Sequence, residues 1–262
     1  MKHGLIGVLL CVTQLLYGQT VLQPRTPDAS RKGIIYLREA AASLRLHEDG
    51  WAIGLTMGRL KTYYLTSYWH FELGELKHEK ETRSSLDYPS RLNGKVSRAF
   101  IYGKQHNLFV LRASYGMKRY YSEKAKKKGA VLGFTWEAGP TLGLLKPYYL
   151  EVFSYEGGNL PTPITIKYTP ETANLFLDHT RIYGSSGWAK GLDELSLVPA
   201  IHARAALHVD WGAFDELLKA VEAGLMVDFF FQEVPLMVPL PEVENSNLFI
   251  NLFLTLQFGK RW

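Results

Sequence analysis

The final stretch, Asn247 to Trp262, reads N-L-F-I-N-L-F-L-T-L-Q-F-G-K-R-W and has an apolar residue at every even position from Leu248 to Phe258. The odd positions turn polar or small through Asn251, Thr255, Gln257 and Gly259, and the sequence stops on an aromatic residue. Period-two alternation belongs to a strand with two unlike faces. A continuous apolar face ending on an aromatic residue is what the closing strand of a membrane β-barrel presents. Leu252, Leu254, Leu256, Phe258 and Trp262 are read as its C-terminal assembly signal.

The other end points to export. Lys2 and His3 precede an apolar run from Leu5 to Leu16, and Gly18 is a small residue before Gln19, the layout of a cleaved signal peptide. The run is shorter than the roughly 20 residues a helix needs to span a bilayer. Cys11 is the single cysteine and follows Leu10 rather than a small residue, so lipidation is not expected and the mature chain holds no disulfide. The expected organisation is a signal peptide at 1–18, a periplasmic lead-in at 19–33 with Pro24 and Pro27, and one β-barrel domain at 34–262.

Seven more alternating segments precede the last. They run from about Ile35 to Leu46, Trp51 to Gly58, Tyr63 to Leu73, Asn107 to Lys118, Leu132 to Leu144, Leu195 to Val209 and Val221 to Phe229. Pro140 interrupts the fifth, and since proline donates nothing to a ladder a bulge or bend is expected there. Tyr148, Leu150 and Val152 read as an upward continuation of the same strand. The predicted fold is all-β: a closed antiparallel up-and-down transmembrane β-barrel of about eight strands, with both termini periplasmic. Connections then alternate in length. Those at Gly58, Ser122 and Trp211 are short and fall on the near side; those at His47 to Gly50, Glu75 to His106, Ser154 to Asp193 and Val234 to Glu244 fall on the far side, and the three after the first are long. Ser154 to Asp193 reads as irregular, with room for a short hairpin at Ile164 to Tyr168.

The two faces differ in chemistry. One phase is nearly free of charge, while the other carries Glu39, Arg45, His70, Glu72, Arg112, Lys118, Glu137, His202, Arg204, His208, Glu222 and Asp228. A soluble ligand-binding barrel keeps its apolar face inside; here the charged phase is expected inside and lipid outside. Eight strands enclose space for little beyond their own side chains, so these charges are predicted to pair and fill the lumen. No Ser-His-Asp arrangement follows from the spacing, and the three inward histidines are too scattered for a metal-ligand pattern. No enzyme activity, metal or cofactor is expected.

Tyr and Trp near strand ends, namely Trp51, Tyr63, Tyr115, Tyr120, Tyr148, Trp211 and Trp262, suit interfacial girdles. Lys80, Arg83, Arg91, Lys95, Arg98 and Lys104 make the first long connection basic, a composition that could pair with lipopolysaccharide phosphates. Lys124 and Lys126 to Lys128 would lie beside headgroups on the near side.

Gly50-Trp51-Ala52-Ile53-Gly54 with Met57-Gly58, Phe71-Glu72 through Leu76-Lys77-His78, Ile101-Tyr102-Gly103-Lys104, Lys190-Gly191-Leu192-Asp193-Glu194, Val234-Pro235-Leu236-Met237 and Phe258-Gly259-Lys260-Arg261-Trp262 occur in order along the chain. On these stretches the sequence resembles a Bacteroidota family of exported outer-membrane β-barrel proteins. The resemblance implies location and fold. It brings no activity and no catalytic residue.

The expected role is therefore structural or accessory, as a candidate subunit of an envelope assembly or secretion complex in the outer membrane. The alternatives are a lipid- or lipopolysaccharide-modifying barrel enzyme, with His78 or His106 at its rim, and a small-solute channel. Expected partners are outer-membrane lipid and the barrel-assembly machinery during insertion, with lipopolysaccharide and another envelope protein as further candidates; nucleic acid is not expected.

Overall fold

The computed structural model describes residues 36–85, 97–121, 129–155, 162–211, 215–240 and 243–262. The signal segment 1–18, the lead-in 19–33, the basic residues Arg91 and Lys95 and the lysines of 122–128 lie outside the described residues.

In chain order the strands are β1 (Arg38–His47), β2 (Gly50–Leu60), β3 (Leu65–Leu76), the short β4 (Arg83–Ser84) and β5 (Phe100–Ile101), then β6 (His106–Tyr120), β7 (Val131–Pro147), β8 (Tyr149–Ser154) and β9 (Thr162–Lys167). A single-turn helix α1 (Ala173–Phe176) precedes β10 (Ile182–Ser185), followed by β11 (Ser196–Asp210), β12 (Leu217–Phe230) and β13 (Leu248–Arg261). Eight of these close a barrel in the order β1-β13-β12-β11-β7-β6-β3-β2. Every barrel strand pairs antiparallel with the next barrel strand in the chain, and the ladder from Glu39↔Arg261 to His47↔Phe253 seals β1 to β13. Closure leaves no open edge.

Period-two alternation produces two opposite surfaces. On the outside Leu55, Met57, Trp69, Leu207, Leu252 and Phe258 are 54–66% exposed. Inside, in the same strands, Thr56, His70, His208, Asn251 and Gln257 are buried. The polarity of a water-soluble domain is inverted. Trp51, Tyr115, Trp211 and Trp262 are exposed as a girdle requires, but Tyr120 and Tyr148 are not. Tyr120 falls on the inward phase of β6, and Tyr148 packs into the loop structure beyond the strands.

Pro140 introduces no bulge. β7 runs unbroken from Val131 to Pro147, and its register with β6 is the same on either side, from Arg112↔Thr141 to Tyr115↔Ala138. The strands press together there instead, since a Cβ on Gly139 would lie 2.1 Å from the Ala113 carbonyl oxygen and 2.7 Å from Ser114 Cα. Only a residue without a side chain fits at that approach, and the ladder passes the proline without an extra residue. Gly139→Val is therefore expected to cost about 1–3 kcal/mol or more through overpacking, read as a lower urea midpoint of the folded protein.

Among the described residues, the connection from Ser154 to Asp193 is not irregular throughout, since it carries strands and a helical turn. The expected upward continuation of the fifth strand breaks at Tyr148, and β8 joins β9 and β10 in a separate three-stranded sheet, with β9 covering the anticipated hairpin position. Phe100, Leu150, Val152, Phe176, Ile182 and Val238 form its buried core. Apolar side chains contributed by all three long connections thus build a cap.

The connection after β12 turns inward. Val234, Leu236 and Met237 are buried among Leu76, Leu108, Val110, Leu145, Phe230 and Phe249, which occupy the inward phase at the cap end of their strands. The Leu236 carbonyl accepts hydrogen bonds from the Gln105 and His106 amides at 2.8 and 3.1 Å, and Val238 N–H donates to Gly103 at 2.8 Å. Gly103, at φ 69°, supplies the left-handed turn that this approach uses. An apolar plug shuts this end of the barrel.

Candidate functional site

Below the plug the lumen is filled by charge. Glu39, Arg45, His70, Glu72, Arg112, Glu137, His202, Arg204, His208, Glu222 and Asp228 all point inward and are at most 4% exposed. Lys118, Asp210 and Arg261 join them, equally buried.

The contacts form a chain along the barrel. Nearest the termini, Lys118 and Arg261 donate to the two oxygens of Glu39 at 2.8 and 3.2 Å. Arg261 Nη2 and Tyr120 O–H both reach Asp210 Oδ2, at 2.6 and 2.8 Å. In the middle, His208 is bonded to Glu222 at 2.9 Å, Arg204 grips Glu137 through Nε and Nη2 at 2.6 and 2.9 Å, and His70 shares Glu137 at 3.0 Å. Next to the plug, Arg112 donates through Nε and Nη2 to both oxygens of Asp228, each at 2.8 Å, and through Nη1 to Glu72 at 2.6 Å. Arg45 takes Glu72 from the other side at 2.7 Å, and His202 bonds Asp228 at 3.1 Å.

Several of these are register neighbours on adjacent strands: Glu72↔Arg112, Glu137↔Arg204, His202↔Asp228, His208↔Glu222 and Glu39↔Arg261. Others cross the lumen, such as Arg112 to Asp228 and Lys118 to Glu39. Among these residues five fixed cations, Arg45, Arg112, Lys118, Arg204 and Arg261, face the six carboxylates of Glu39, Glu72, Glu137, Asp210, Glu222 and Asp228. The carboxylates outnumber the fixed cations by one, and bidentate arginine pairs give the set fixed geometry. Arg261 and Tyr120 were also within reach of the alternation, since both lie on the inward phase, Arg261 two residues beyond Gly259 and Tyr120 two beyond Lys118, although Tyr120 resembled a girdle residue by type.

One trio has the order of a nucleophile relay. Ser43 Oγ lies 3.4 Å from His70 Nε2, and His70 Nδ1 lies 3.0 Å from Glu137. No acyl group can approach it. A mere Cβ on Gly54 would stand 2.5 Å from His70 Nε2 and 2.8 Å from Ser43 Oγ, and Glu137 is already held by Arg204. The rim histidines are structural too: His78 accepts from the Lys80 amide at Nδ1 and donates from Nε2 to the Glu244 carbonyl, while His106 Nδ1 donates to Pro235 at 2.7 Å. They tie loops together.

Two hollows remain. The larger, of about 1070 Å³, is apolar and follows wall residues such as Ile53, Phe71, Leu111, Leu142 and Ile201. The other, of about 790 Å³, is polar and lies where the cap meets the strand ends. Nearby on the cap, hydrogen bonds from Lys167 at 2.6 Å and Tyr149 at 2.8 Å hold the Glu194 carboxyl below the usual range.

No protein-family description matches the sequence, and no curated protein does. Solved structures with a similar chain course exist. They include Neisserial surface protein A at 6% identity, covering 87% of this chain and 97% of that one with a TM-score of 0.39. The N-terminal β-barrel domain of Pseudomonas aeruginosa OprF is 9% identical, over 86% and 96% of the two chains, with a TM-score of 0.34. Ail, the attachment invasion locus protein of Yersinia pestis, solved with the heparin analogue sucrose octasulfate, is 8% identical over 86% and 95%, also with a TM-score of 0.34. Likeness this distant carries no activity across.

Proposed function

We propose that the chain is an integral outer-membrane barrel with a structural or accessory role, its termini on the periplasmic side and its cap outside the cell. The observation that carries this reading is the inverted wall. Large apolar side chains encircle the barrel while fourteen acidic, basic and histidine side chains are sealed within it, and so extensive an apolar surface is stable only in contact with lipid. The plug and the ion-paired lumen speak against a solute channel, and the crowding around Ser43 and His70 speaks against an enzyme working from the lumen. What is left to act is the cap, which suits a subunit that docks other envelope components. In this reading the chain belongs with the Bacteroidota barrels its motifs resemble. Leu252, Leu254, Leu256, Phe258 and Trp262 are the segment offered to the barrel-assembly machinery, and a signal peptide ending at Gly18 delivers the chain to it.

The test is extraction of a tagged copy. The protein is expected in the membrane fraction after an alkaline wash, and gentle detergent is expected to bring a second envelope protein with it in fixed ratio. Recovery from the soluble fraction would overturn the membrane reading. Recovery from membranes without a companion would remove the accessory role and leave the barrel assignment standing.

A further inference from the structure

We propose that the polar cleft between cap and barrel rim binds a phosphorylated saccharide. Its volume of about 790 Å³ suits a small ligand, and its lining is strongly unbalanced in charge. Lys77, Arg83, Arg98, Lys104, Lys146 and Lys190 face it, against the carboxylates of Glu75 and Glu81. Both carboxylates are taken, Glu75 by Lys77 at 3.7 Å and Glu81 by Lys104 at 2.5 Å. Among the described residues Arg83, Arg98, Lys146 and Lys190 have no acidic partner.

Lys146 is decisive. It is only 3% exposed, and its Nζ donates to the Trp188 carbonyl but meets no carboxylate among the described residues. Burying an ammonium is costly unless an anion meets it. An anionic ligand seated in the cleft would complete the two free donor positions of that amine, and charge-assisted bonds of this kind are the strong ones. Arg83 and Arg98, both exposed at the same cleft, would close on the anion from outside.

Three rings accompany the lysines. Lys104, Lys146 and Lys190 lie 5.9, 5.1 and 5.6 Å from the ring centres of Tyr148, Trp188 and Tyr149. Trp188 is 69% exposed, an apolar platform beside a cation. Aromatic faces next to phosphate-binding amines match a sugar that carries phosphate better than a bare inorganic ion, which has no apolar face to cover.

Position suggests where that sugar comes from. Glu75, Asn107 and Lys146, at the ends of β3, β6 and β7, belong to the lining, and Trp188 packs edge-on at 6.5 Å against Phe109 on β6. The cleft is therefore level with the end of the wall, where headgroups of the outer leaflet would sit. A lipopolysaccharide headgroup and a free sugar phosphate share the required chemistry; the first source rests on the outer-membrane reading and the second does not.

Native mass spectrometry of the full chain in uncharged phosphatidylcholine nanodiscs separates the cases. One arm offers glucosamine 6-phosphate against glucosamine, the other purified lipopolysaccharide against the same material dephosphorylated. Retention at least tenfold higher for the phosphorylated member of either pair is expected. Lipopolysaccharide alone identifies a membrane-anchored ligand, and the sugar phosphate alone or together with it identifies the headgroup chemistry as sufficient. Lys146→Met should lower retention tenfold or more. Arg98→Ala, exposed and outside the cap core, should lower it several-fold even where Lys146→Met fails to fold, and Lys260→Ala at the other end should leave it unchanged. Equal retention of phosphorylated and dephosphorylated partners, no retention in either arm, or wild-type retention by Arg98→Ala would overturn the proposal. A protein recovered as soluble would remove the membrane-anchored source, and the sugar-phosphate arm would still decide the site.

Discussion

Arg112→Met is expected to destabilise the barrel by about 3–5 kcal/mol, because it strands two buried carboxylates at once. Arg112 holds both oxygens of Asp228 and one of Glu72, and all three residues are at most 4% exposed. Arg45 continues to hold Glu72 and His202 continues to bond Asp228, so the loss falls most heavily on Asp228. Urea unfolding in lipid, followed by the mobility difference between folded and unfolded barrel, measures the change. The informative control neutralises the carboxylates as well. Arg112→Met combined with Glu72→Gln and Asp228→Asn should recover most of the loss, since removing a whole buried charge set is far cheaper than removing one member. Equal midpoints for wild type and Arg112→Met would mean that the lumen admits water and that the ion pairs do not hold it shut.

Leu254→Arg is expected to cost about 2–4 kcal/mol if lipid surrounds the barrel, the range for arginine near the bilayer midplane on an outward face. Leu254 is well suited to the question. It lies in the middle of β13, pairs with Leu46 and Ala223 on either side, and is 48% exposed. In water a half-exposed leucine of this kind could become arginine with a change within about 0.5 kcal/mol. The same substitution therefore has two different sizes under the two environments. Urea midpoints in phosphatidylcholine vesicles, compared with Lys260→Arg beyond the apolar band, give the answer, and a near-zero effect at Leu254 would count against a lipid-facing wall.

The two substitutions probe opposite sides of one alternating strand pattern, and that pattern was readable residue by residue. Parity alone put Glu39, Arg45, His70, Glu72 and the other lumen charges on one phase and the leucines of β13 on the other, because side chains in a strand alternate whatever the strand pairs with. The even number of strands and the alternation of short and long connections followed from the same count.

Three features required the folded chain. Parity says which face a residue takes but not its height or its partner, so the chain of contacts from Arg261 to Arg45 emerges only when register aligns β1 with β13 and closure lets β6 reach β12 across the lumen. Pro140 suggested a bulge because local rules treat proline as a break, yet the registers with β6 and β11 run past it unshifted. The long connections read as irregular because their apolar residues have no single period. Phe100, Val152 with Phe176, and Val238 come from three different connections and become a core only when the barrel holds the loop ends together. Alternation, a local property of the chain, thus determined the barrel and its inverted faces. Pairing across the lumen, the plug and the cap with its basic cleft are contacts between residues far apart in sequence, and only closure of the tertiary structure decided them.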